Sequence, residues 1–425
     1  MAYFWQGLRT GEWLTAARVR GYSMTLLGFC VAAVVGWIAL SDGLIDRNGK
    51  PIGTDFSSFY AAGSLALDGH AADAYTPAAH YAREQRLFGE KTPYYSWNYP
   101  PVFLLIAAPL ALLPYPLALA LFQAAGLALY LLVIAAILAP ARRRNPIIAR
   151  NWLPVAAAFP AVFINLGHGQ NGFLTAGLLG AALVTLEQPV LSGLCIGLLC
   201  YKPQFALVIP IALLAAARWG VIASAALTVA ALIAVSWFCF GIDSWTAFLA
   251  STEMSRKVLL EQGSVGFEKL QSAFAAVRLW GGSVPLSYAV QGVVSALAVL
   301  ATAWAWRVSD NRALKAALLV SATALTSPYM LDYDLVLLAP ALAFLTLVIR
   351  EDGARDYETT LMALIWITPL PARSVAGLVG IPLGLLATLA LFALIMRRLY
   401  RHRERVAGGV DSTFAARSSA FAMRM

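Results

Sequence analysis

One carboxylate stands out because it begins an amphipathic segment in a chain built largely of apolar residues. Asp55 is the second residue of the stretch TDFSSFYAAGSLALDG, residues 54–69. The larger side chains of this stretch recur at helical spacing, which predicts an interfacial helix with its acid in the first turn. Asp55 is then either a helix N-cap or a general base at the water–lipid boundary that accepts a proton from an acceptor hydroxyl.

A short break between two apolar segments holds an imidazole and two amides. The sequence INLGHGQNG, residues 164–172, contains His168, Gln170 and Asn171 between glycines that allow close backbone approach. Such groups need partners if they are buried, which favours contact with a sugar or a phosphate. The alternative is that the segment is only a turn between two spans.

Two cations are candidates for holding an anionic group. Lys202, in YKPQ, is the only charged residue between two short predicted spans, a position suited to a lipid phosphate, although snorkelling to the interface also explains it. Arg278 ends the stretch FEKLQSAFAAVR, seven residues after Gln271 on a predicted helix. Arginine can bind phosphate through two parallel hydrogen bonds, and a surface helix charge is the alternative.

Aromatic and acidic side chains complete the set of candidates. Tyr99, in YSWNYPP, can stack on a sugar ring or anchor the loop at the interface. Asp332 and Asp334, in SPYMLDYDL, can accept hydrogen bonds from sugar hydroxyls or only favour the dipole of a following helix. These two acids alone are a thin ligand set for a metal, so we expect neither a metal nor a cofactor.

The composition determines what kind of molecule must position these residues. The chain has 425 residues, is 60% hydrophobic and only 12% charged. Long apolar segments with short loops predict an all-α polytopic membrane protein, since helices satisfy their own backbone groups in lipid. A soluble nucleotide-sugar enzyme is disfavoured because the sequence lacks a glycine-rich phosphate loop and a soluble nucleotide-binding domain. The four cysteines lie in hydrophobic segments and indicate no disulfide framework.

Hydropathy and flanking polar residues predict about 12 transmembrane helices. Residues 101–113, PVFLLIAAPLALL, are short and bounded by prolines, so we interpret them as a re-entrant or interfacial segment. The predicted spans are 21–41, 117–139, 152–165, 171–187, 190–201, 204–217, 219–240, 284–306, 313–326, 332–349, 359–371 and 374–396.

Charge distribution orients these spans. With the spans drawn in this way, 20 of the 31 basic residues fall on the side of the N-terminus, which predicts that both termini are cytoplasmic. The net charge of +9 is thus a topology signal and requires no nucleic-acid partner. We expect a basic N-terminus (1–20), a membrane domain (21–397) with outer loops 42–100 and 241–283, and a basic, disordered tail (398–425). All the polar segments above then lie on the outer face of the cytoplasmic membrane.

The order of several short motifs resembles glycosyltransferase family 87, over residues 20 to 345 or so. The motifs are TDFSSFY, AYTP, YSWNYPPVFLLIAAPLALLP, GHGQNG, YKPQ and SPYMLDYDLVLLAP. This family contains membrane enzymes of the GT-C type, similar to polyprenyl-phosphate-mannose-dependent mannosyltransferases. The resemblance implies a GT-C helix bundle with interfacial helices on its outer face.

The resemblance also implies a reaction: inverting transfer of a hexose from a polyprenyl-phosphate donor to a lipid or glycan acceptor. The family's catalytic aspartate falls on Asp55, and its Asn-x-Ser-Leu…Arg element resembles the stretch that ends at Arg278, with Gln271 in place of asparagine. Related mannosyltransferases have histidines near the SPYMLDYDL position, and this chain has none there, which leaves the identity of the sugar open.

Two other classes of protein remain as alternatives. A secondary transporter would also have about 12 spans and polar breaks, but the sequence has no internal repeat and its polar residues are predicted at one face rather than at the midplane. A lipid flippase or a scaffold subunit of an envelope-polysaccharide complex would use the outer loops only for docking. This last alternative predicts that Asp55 is dispensable.

Overall fold

The computed structural model describes residues 2–205 and 207–401. Over this part of the chain the regular structure is helical apart from three isolated bridges, which confirms the all-α prediction. In chain order the α-helices are α1 (Ala2–Thr10), α2 (Ala16–Ala39), α3 (Thr54–Leu67), α4 (Pro77–Phe88), α5 (Leu104–Ala111), α6 (Tyr115–Arg144), α7 (Pro146–Ala157), α8 (Pro160–His168), α9 (Gly172–Val184), α10 (Pro189–Leu198), α11 (Val208–Ala215), α12 (Trp219–Ser255), α13 (Ala273–Leu279), α14 (Val284–Val308), α15 (Arg312–Thr326), α16 (Leu338–Asp352), α17 (Glu358–Ile367), α18 (Pro369–Val379) and α19 (Leu383–Arg401).

Seven helical segments in the described residues are long and apolar enough to cross a membrane, or eight if the bent pair α17 and α18 is one span. The predicted count of about 12 is therefore not confirmed. Several predicted spans correspond to helices shorter than the ~20 residues that a bilayer requires. These shorter apolar helices include Gly172–Val184 and Pro189–Tyr201, and also Pro101–Ala111, the segment interpreted as re-entrant or interfacial.

The C-terminal helices begin and end at different residues from those predicted. The axes of α17 and α18 differ by 72° at a break next to Pro369, which has no backbone N–H to continue the preceding helix. Gly380 then ends α18 in the left-handed conformation, with a φ of 70°. Residues 369–374, PLPARS, thus start a helix, whereas the predicted spans 359–371 and 374–396 meet there. Helix α19 continues through Arg401, and residues 402–425 of the predicted tail lie outside the described residues.

Helix α3 is packed into the protein rather than lying on its surface. Eight of its 14 residues are buried, among them Phe56 and Phe59. The ring of Phe59 meets Trp97, Tyr99 and Phe103 edge-on, with centroids 5.2 to 6.0 Å apart. Such edge-to-face contacts add to the burial of the rings. The aromatic cluster joins the start of α3 to the loop that precedes α5.

The other face of α3 packs closely on α5 at a glycine. A Cβ atom added to Gly63 would lie 2.2 Å from the backbone oxygen of Ala107. Since the contact atom is backbone, the two helices must separate to accept any side chain at this position. Gly63 therefore determines the distance between α3 and α5.

We predict that Gly63→Ala destabilises the protein, because the added methyl group forces α3 away from α5. Overpacking of this kind costs about 1–3 kcal/mol. The measurement is the apparent melting temperature of the purified protein in detergent. Gly28→Ala in α2 is the matched control, since a Cβ there has nothing within 4 Å and alanine favours the helix. Equal melting temperatures for the Gly63 variant and wild type would contradict the prediction.

Candidate active site

Asp55 lies in the first turn of α3 and does not cap it. The N-cap position is occupied by Gly53, so the interpretation of Asp55 as an N-cap is wrong. The dipole of α3 still favours an acid in this turn. The Asp55 side chain is 27% exposed, so the carboxylate is reachable from outside the bundle.

The break between α8 and α9 brings two side chains to Asp55. Gln170 Nε2 donates a hydrogen bond of 3.0 Å to Asp55 Oδ2, and His168 Nδ1 lies 3.7 Å from the same oxygen. Between them Gly169 has a φ of 61°, and a Cβ there would lie 2.7 Å from the Cβ of Phe56. Only glycine allows both this left-handed conformation and this close approach. The turn between the two helices therefore positions polar groups against Asp55.

The Gln170 amide is held in one orientation by its neighbours. Gln170 Oε1 accepts hydrogen bonds of 3.1 Å from both the backbone N–H of Asn171 and the Tyr99 hydroxyl, which leaves the amide nitrogen directed to Asp55. The backbone oxygen of Gln170 accepts from Gln123 Nε2 at 3.0 Å and from Asn165 Nδ2 at 2.9 Å. Tyr99 is buried, and this bond gives it a positioning role in the structure. Sequence reasoning missed Gln123 and Asn165, because single amides inside apolar helices carry no local signal.

Asn171 is buried beside this network, near the Tyr99 hydroxyl, but neither polar atom of its amide makes a hydrogen bond of good geometry. Such an unsatisfied buried amide requires an explanation, and a ligand group is one. Asn171 and Gln170 line one end of a cavity of about 270 Å³. The other walls are apolar and come from α5, α6 and α9: Ile106, Phe122, Ala125, Gly126, Leu129, Phe173 and Leu174.

Asp334 and Lys202 form a buried ion pair. Lys202 Nζ lies 2.6 Å from Asp334 Oδ1, and each side chain is only 2% exposed. The ammonium also lies 5.3 Å from the ring centroid of Tyr333, and the backbone N–H of Leu331 donates to Asp334 Oδ2. The charge of Lys202 is thus compensated within the protein, where an unpaired buried charge would be costly.

Asp332 faces a different set of groups. Its Oδ1 accepts the backbone N–H of Tyr333, whose ring centroid lies 5.8 Å from that of His168. Arg373 Nη1 approaches Asp332 Oδ2 to 3.9 Å. Among the described residues, no three His, Cys, Asp or Glu side chains come together as a metal site would require.

Lys269 is a further cation that the sequence analysis missed. It is half-buried in the segment between α12 and α13, and its burial and the nearby Arg373 lower its pKa, while the charges of Asp55 and Asp332 raise it. Lys269 and Arg373 thus belong to the same electrostatic environment as the two acids. Nothing in the sequence near either cation distinguishes it from an ordinary surface charge, because the acids that they face are more than 40 residues away along the chain.

Arg278 is tied to backbone carbonyl groups. Its Nη1 donates to the carbonyl of Gly282 at 2.7 Å and its Nη2 to that of Glu261 at 3.2 Å, and the guanidinium lies 5.1 Å from the ring centroid of Phe267. These bonds satisfy carbonyl groups around the end of α13. The structure therefore joins Arg278 to its own loop rather than to the hydrogen-bond network of Asp55.

The family model for glycosyltransferase family 87 matches residues 97–328, more than half of the chain. The matched region contains Tyr99, the GHGQNG turn, Lys202 and Arg278, while Asp55 precedes it and Asp332 and Asp334 follow it. Comparisons with curated proteins and with solved structures found no match.

Behind α3, helix α4 buries a second pair of titratable groups. His80 Nε2 lies 3.3 Å from Ser58 Oγ, and Glu84 Oε2 accepts the backbone N–H of Tyr95 at 3.0 Å. Burial raises the pKa of the Glu84 carboxyl to about 8, with a smaller contribution from Asp55, and lowers the pKa of His80 to about 4. Both groups are thus mainly neutral at pH 7, as their apolar surroundings require.

We predict that Glu84→Gln removes a loss of stability that wild type undergoes as the pH rises from 4.5 to about 8. Above pH 4.5 the unfolded carboxyl has lost the proton that the folded one keeps up to about pH 8, so stability falls as pH rises between these values. His80 has the opposite effect, but only between about pH 4 and 6.5. Glutamine keeps the acceptor for Tyr95 and cannot ionise.

Melting temperatures of wild type and Glu84→Gln measured from pH 6.5 to 8 test this, because His80 contributes little to the change there. The wild type should lose stability relative to the variant as the pH rises. Glu90→Gln, at an exposed position after the same helix, should track the wild type. A constant difference between Glu84→Gln and wild type over this range would show that Glu84 does not titrate as described.

Proposed function

Because the chain belongs to glycosyltransferase family 87, we propose that it transfers a hexose from a polyprenyl-phosphate donor to a lipid or glycan acceptor, with inversion at the anomeric carbon. Family membership makes the chain a membrane glycosyltransferase. The donor, the acceptor and the sugar, for which mannose is one candidate, belong to the proposal. We place the reaction on the outer face of the cytoplasmic membrane, on the basis of the charge distribution.

The observation that carries the proposal is the hydrogen bond from Gln170 Nε2 to Asp55 Oδ2. It occupies one carboxylate oxygen and leaves the other to accept a proton from an acceptor hydroxyl. As that proton moves to Asp55, the hydroxyl oxygen attacks the anomeric carbon and the bond from this carbon to the phosphate oxygen breaks. The phosphate leaves with the electron pair, so a single carboxylate base is sufficient.

The departing phosphate needs positive charge close by. Lys202 and Arg278 are the candidates from the sequence, but Lys202 is paired with Asp334 and Arg278 binds carbonyl groups. To contact a phosphate they would have to exchange these partners. Lys269 and the exposed Arg373 share the environment of Asp55 and Asp332, which favours these two as the first phosphate contacts.

Contacts to the sugar and the acceptor are proposed for the remaining polar groups. His168 and Gln170 lie next to the Asp55 carboxylate, and Tyr99 binds the Gln170 amide. Asp332 and Asp334 flank Tyr333, whose ring lies next to that of His168. The amide of Asn171 is buried and lacks hydrogen bonds of good geometry, so it would bind a substrate oxygen once the groups that cover it move aside. The apolar cavity that Asn171 lines has the chemistry to accept part of a hydrocarbon chain, which supports a lipid-linked substrate.

The transporter, flippase and scaffold alternatives have no support from the family match. A flippase or scaffold that uses its loops only for docking would need Asp55 only as a structural group, so loss of its charge with its shape retained would leave such a function intact. The same substitution therefore tests the mechanism and separates the classes of protein.

We predict that Asp55→Asn abolishes hexose transfer, because the amide keeps the shape of the side chain but cannot take the proton. The expected fall in rate is at least ~100-fold. The measurement is transfer of labelled hexose from a polyprenyl-phosphate hexose in membranes matched for protein level, and a panel of donor sugars identifies the one that is used.

Asp68→Asn is the control for this substitution. Asp68 follows the last residue of the same helix and has a 54% exposed side chain, so its loss of charge should leave transfer close to the wild-type rate. Transfer that survives in Asp55→Asn would eliminate the base mechanism. Absence of transfer by wild type from every donor would favour the transporter or scaffold alternatives.

We predict that Lys269→Gln raises the KM for the polyprenyl-phosphate donor by about tenfold, since one charged contact to a phosphate is typically worth 1.5–3 kcal/mol. Initial rates at varied donor concentration measure this effect. Lys257→Gln is the control, because Lys257 is exposed and pairs with Glu253 on its own helix. An unchanged KM for the Lys269 variant would remove this residue from the donor site.

A further inference from the structure

A second cavity lies at helix ends on the side of the protein that the charge distribution predicts to be cytoplasmic. It has a volume of about 60 Å³ and is bounded by the end of α9, the turn before α12, the end of α14 and the start of α15. Its walls carry the cations Arg218, Arg312 and Lys315 together with the acid Glu187. None of these residues takes part in the candidate active site.

Positive charge is in excess around this cavity. Arg218 holds Glu187 through two hydrogen bonds of 3.1 and 2.8 Å, and Arg312 Nη2 lies 3.3 Å from the same carboxylate. Asp310 is the other acid close enough to affect Lys315. Three cations thus face two acids, which leaves a net charge of +1 for an anion to neutralise.

The Lys315 ammonium is the cation with unused hydrogen-bonding capacity. Within the described residues its side chain makes no hydrogen bond or ion pair. The Nζ atom lies 5.9 Å from the ring centroid of Trp306. The Trp306 N–H donates to the backbone oxygen of Lys315, which fixes the start of α15 against α14. The three donor hydrogens of the ammonium are therefore available to a ligand.

The backbone around Arg218 is in an unusual conformation. Ala217 has a φ of +52°, in the left-handed region that is unfavourable for a residue with a Cβ. This turn joins α11 to α12 and orients Arg218 to Glu187. Strain at such a position persists where the surroundings determine it and is frequent at ligand sites.

Aromatic and apolar groups place the cavity at the depth of lipid headgroups. Trp219, next to Arg218, is 62% exposed, and tryptophan is enriched at the membrane interface. Leu183, Val184 and Trp306 form apolar walls beside the charges. A ligand with a phosphate and a hydrocarbon part matches both kinds of wall, whereas a free phosphate matches only the charges.

We propose that this cavity binds the phosphate of an anionic phospholipid from the cytoplasmic leaflet. Lys315 and Arg312 donate to the phosphate oxygens, and the glycerol and first methylene groups lie against the exposed Val184. Basic pockets between helices on the cytoplasmic side are the type of surface that anionic headgroups recognise. The proposal does not depend on hexose transfer.

Native mass spectrometry of the full-length protein in detergent tests this site. The protein is titrated with phosphatidylglycerol, with phosphatidylcholine of the same chains, and with inorganic phosphate. We expect the wild type to bind phosphatidylglycerol in preference to phosphatidylcholine. The double variant Arg312→Gln/Lys315→Gln should bind phosphatidylglycerol at least about tenfold more weakly, since each cation near a lipid surface contributes about 1 kcal/mol. Arg218 is kept because its hydrogen bonding to residue 187 holds the turn before α12.

The matched control is Arg143→Gln/Arg144→Gln at the exposed end of α6, which removes the same charge on the same predicted face. It should retain the binding of phosphatidylglycerol. Equal weakening in the two double variants would reduce the effect to general charge attraction and overturn the proposal. Inorganic phosphate that binds the wild type and displaces the lipid would show a free-anion site instead.

Glu187→Gln is expected to strengthen the binding of phosphatidylglycerol. This test therefore does not rely on a loss of function. The substitution removes the competing negative charge and raises the net charge of the cavity by one, while the amide oxygen still accepts from Arg218. Phosphatidylglycerol should bind a few-fold more tightly to this variant than to wild type. A misfolded protein cannot produce that result, and unchanged or weaker binding would contradict the proposal.

Discussion

The candidate active site depends on the hydrogen bond from Gln170 to Asp55, because it joins the start of α3 to the turn between α8 and α9. That bond requires two conditions. The turn must come very close to α3, which Gly169 permits. The amide must also present its nitrogen rather than its oxygen, because the backbone N–H of Asn171 and the Tyr99 hydroxyl donate to its oxygen. The aromatic cluster around Phe59 then holds the segment that carries Tyr99 against α3. Packing and hydrogen bonding thus support the same geometry.

The interior of this bundle shows the cost of polar groups in an apolar protein. Lys202 and Asp334 are buried as a pair, and so are Arg398 and Glu358 in the C-terminal part of the chain. Such pairs are weak sources of stability, since the attraction offsets desolvation only when the geometry is good. Among the described residues, Asn171 is the one side chain with two buried polar atoms that make no hydrogen bond of good geometry, which is why it has weight as a substrate contact.

The two polar regions of the molecule differ in how far their acids and cations balance each other. At the candidate active site the acids Asp55 and Asp332 are balanced by cations from distant segments, Lys269 and Arg373. At the cavity bounded by the ends of α9 and α14, the cations are in excess and the Glu187 carboxylate contacts two of them. The first arrangement suits a reaction in which charge moves during the chemical step, and the second suits stable binding of an anion.

Local patterns in the sequence were sufficient for the fold class and for part of the site. Helix α3 was predicted from the spacing of its aromatic residues, and the GHGQNG turn from glycines between apolar segments, because both signals are confined to a few neighbouring residues. The family followed from the order of such motifs. The count of about 12 spans did not follow, since helices such as Gly172–Val184 are apolar but too short for length and composition to decide whether they cross the membrane.

What only the tertiary structure decided is which polar groups meet. Lys202 and Asp334 are 132 residues apart, and Gln170 is 115 residues from Asp55, so no local pattern indicates either contact. The long separation along the chain also hid Gln123 and Lys269 as neighbours of the site. For the same reason, the sequence did not show that Arg278 binds carbonyl groups of its own loop. The sequence alone determined that the chain is a helical membrane protein with a carboxylate at the start of α3, because composition and periodicity are properties of neighbouring residues. The partners of that carboxylate were decided by packing between helices distant in sequence.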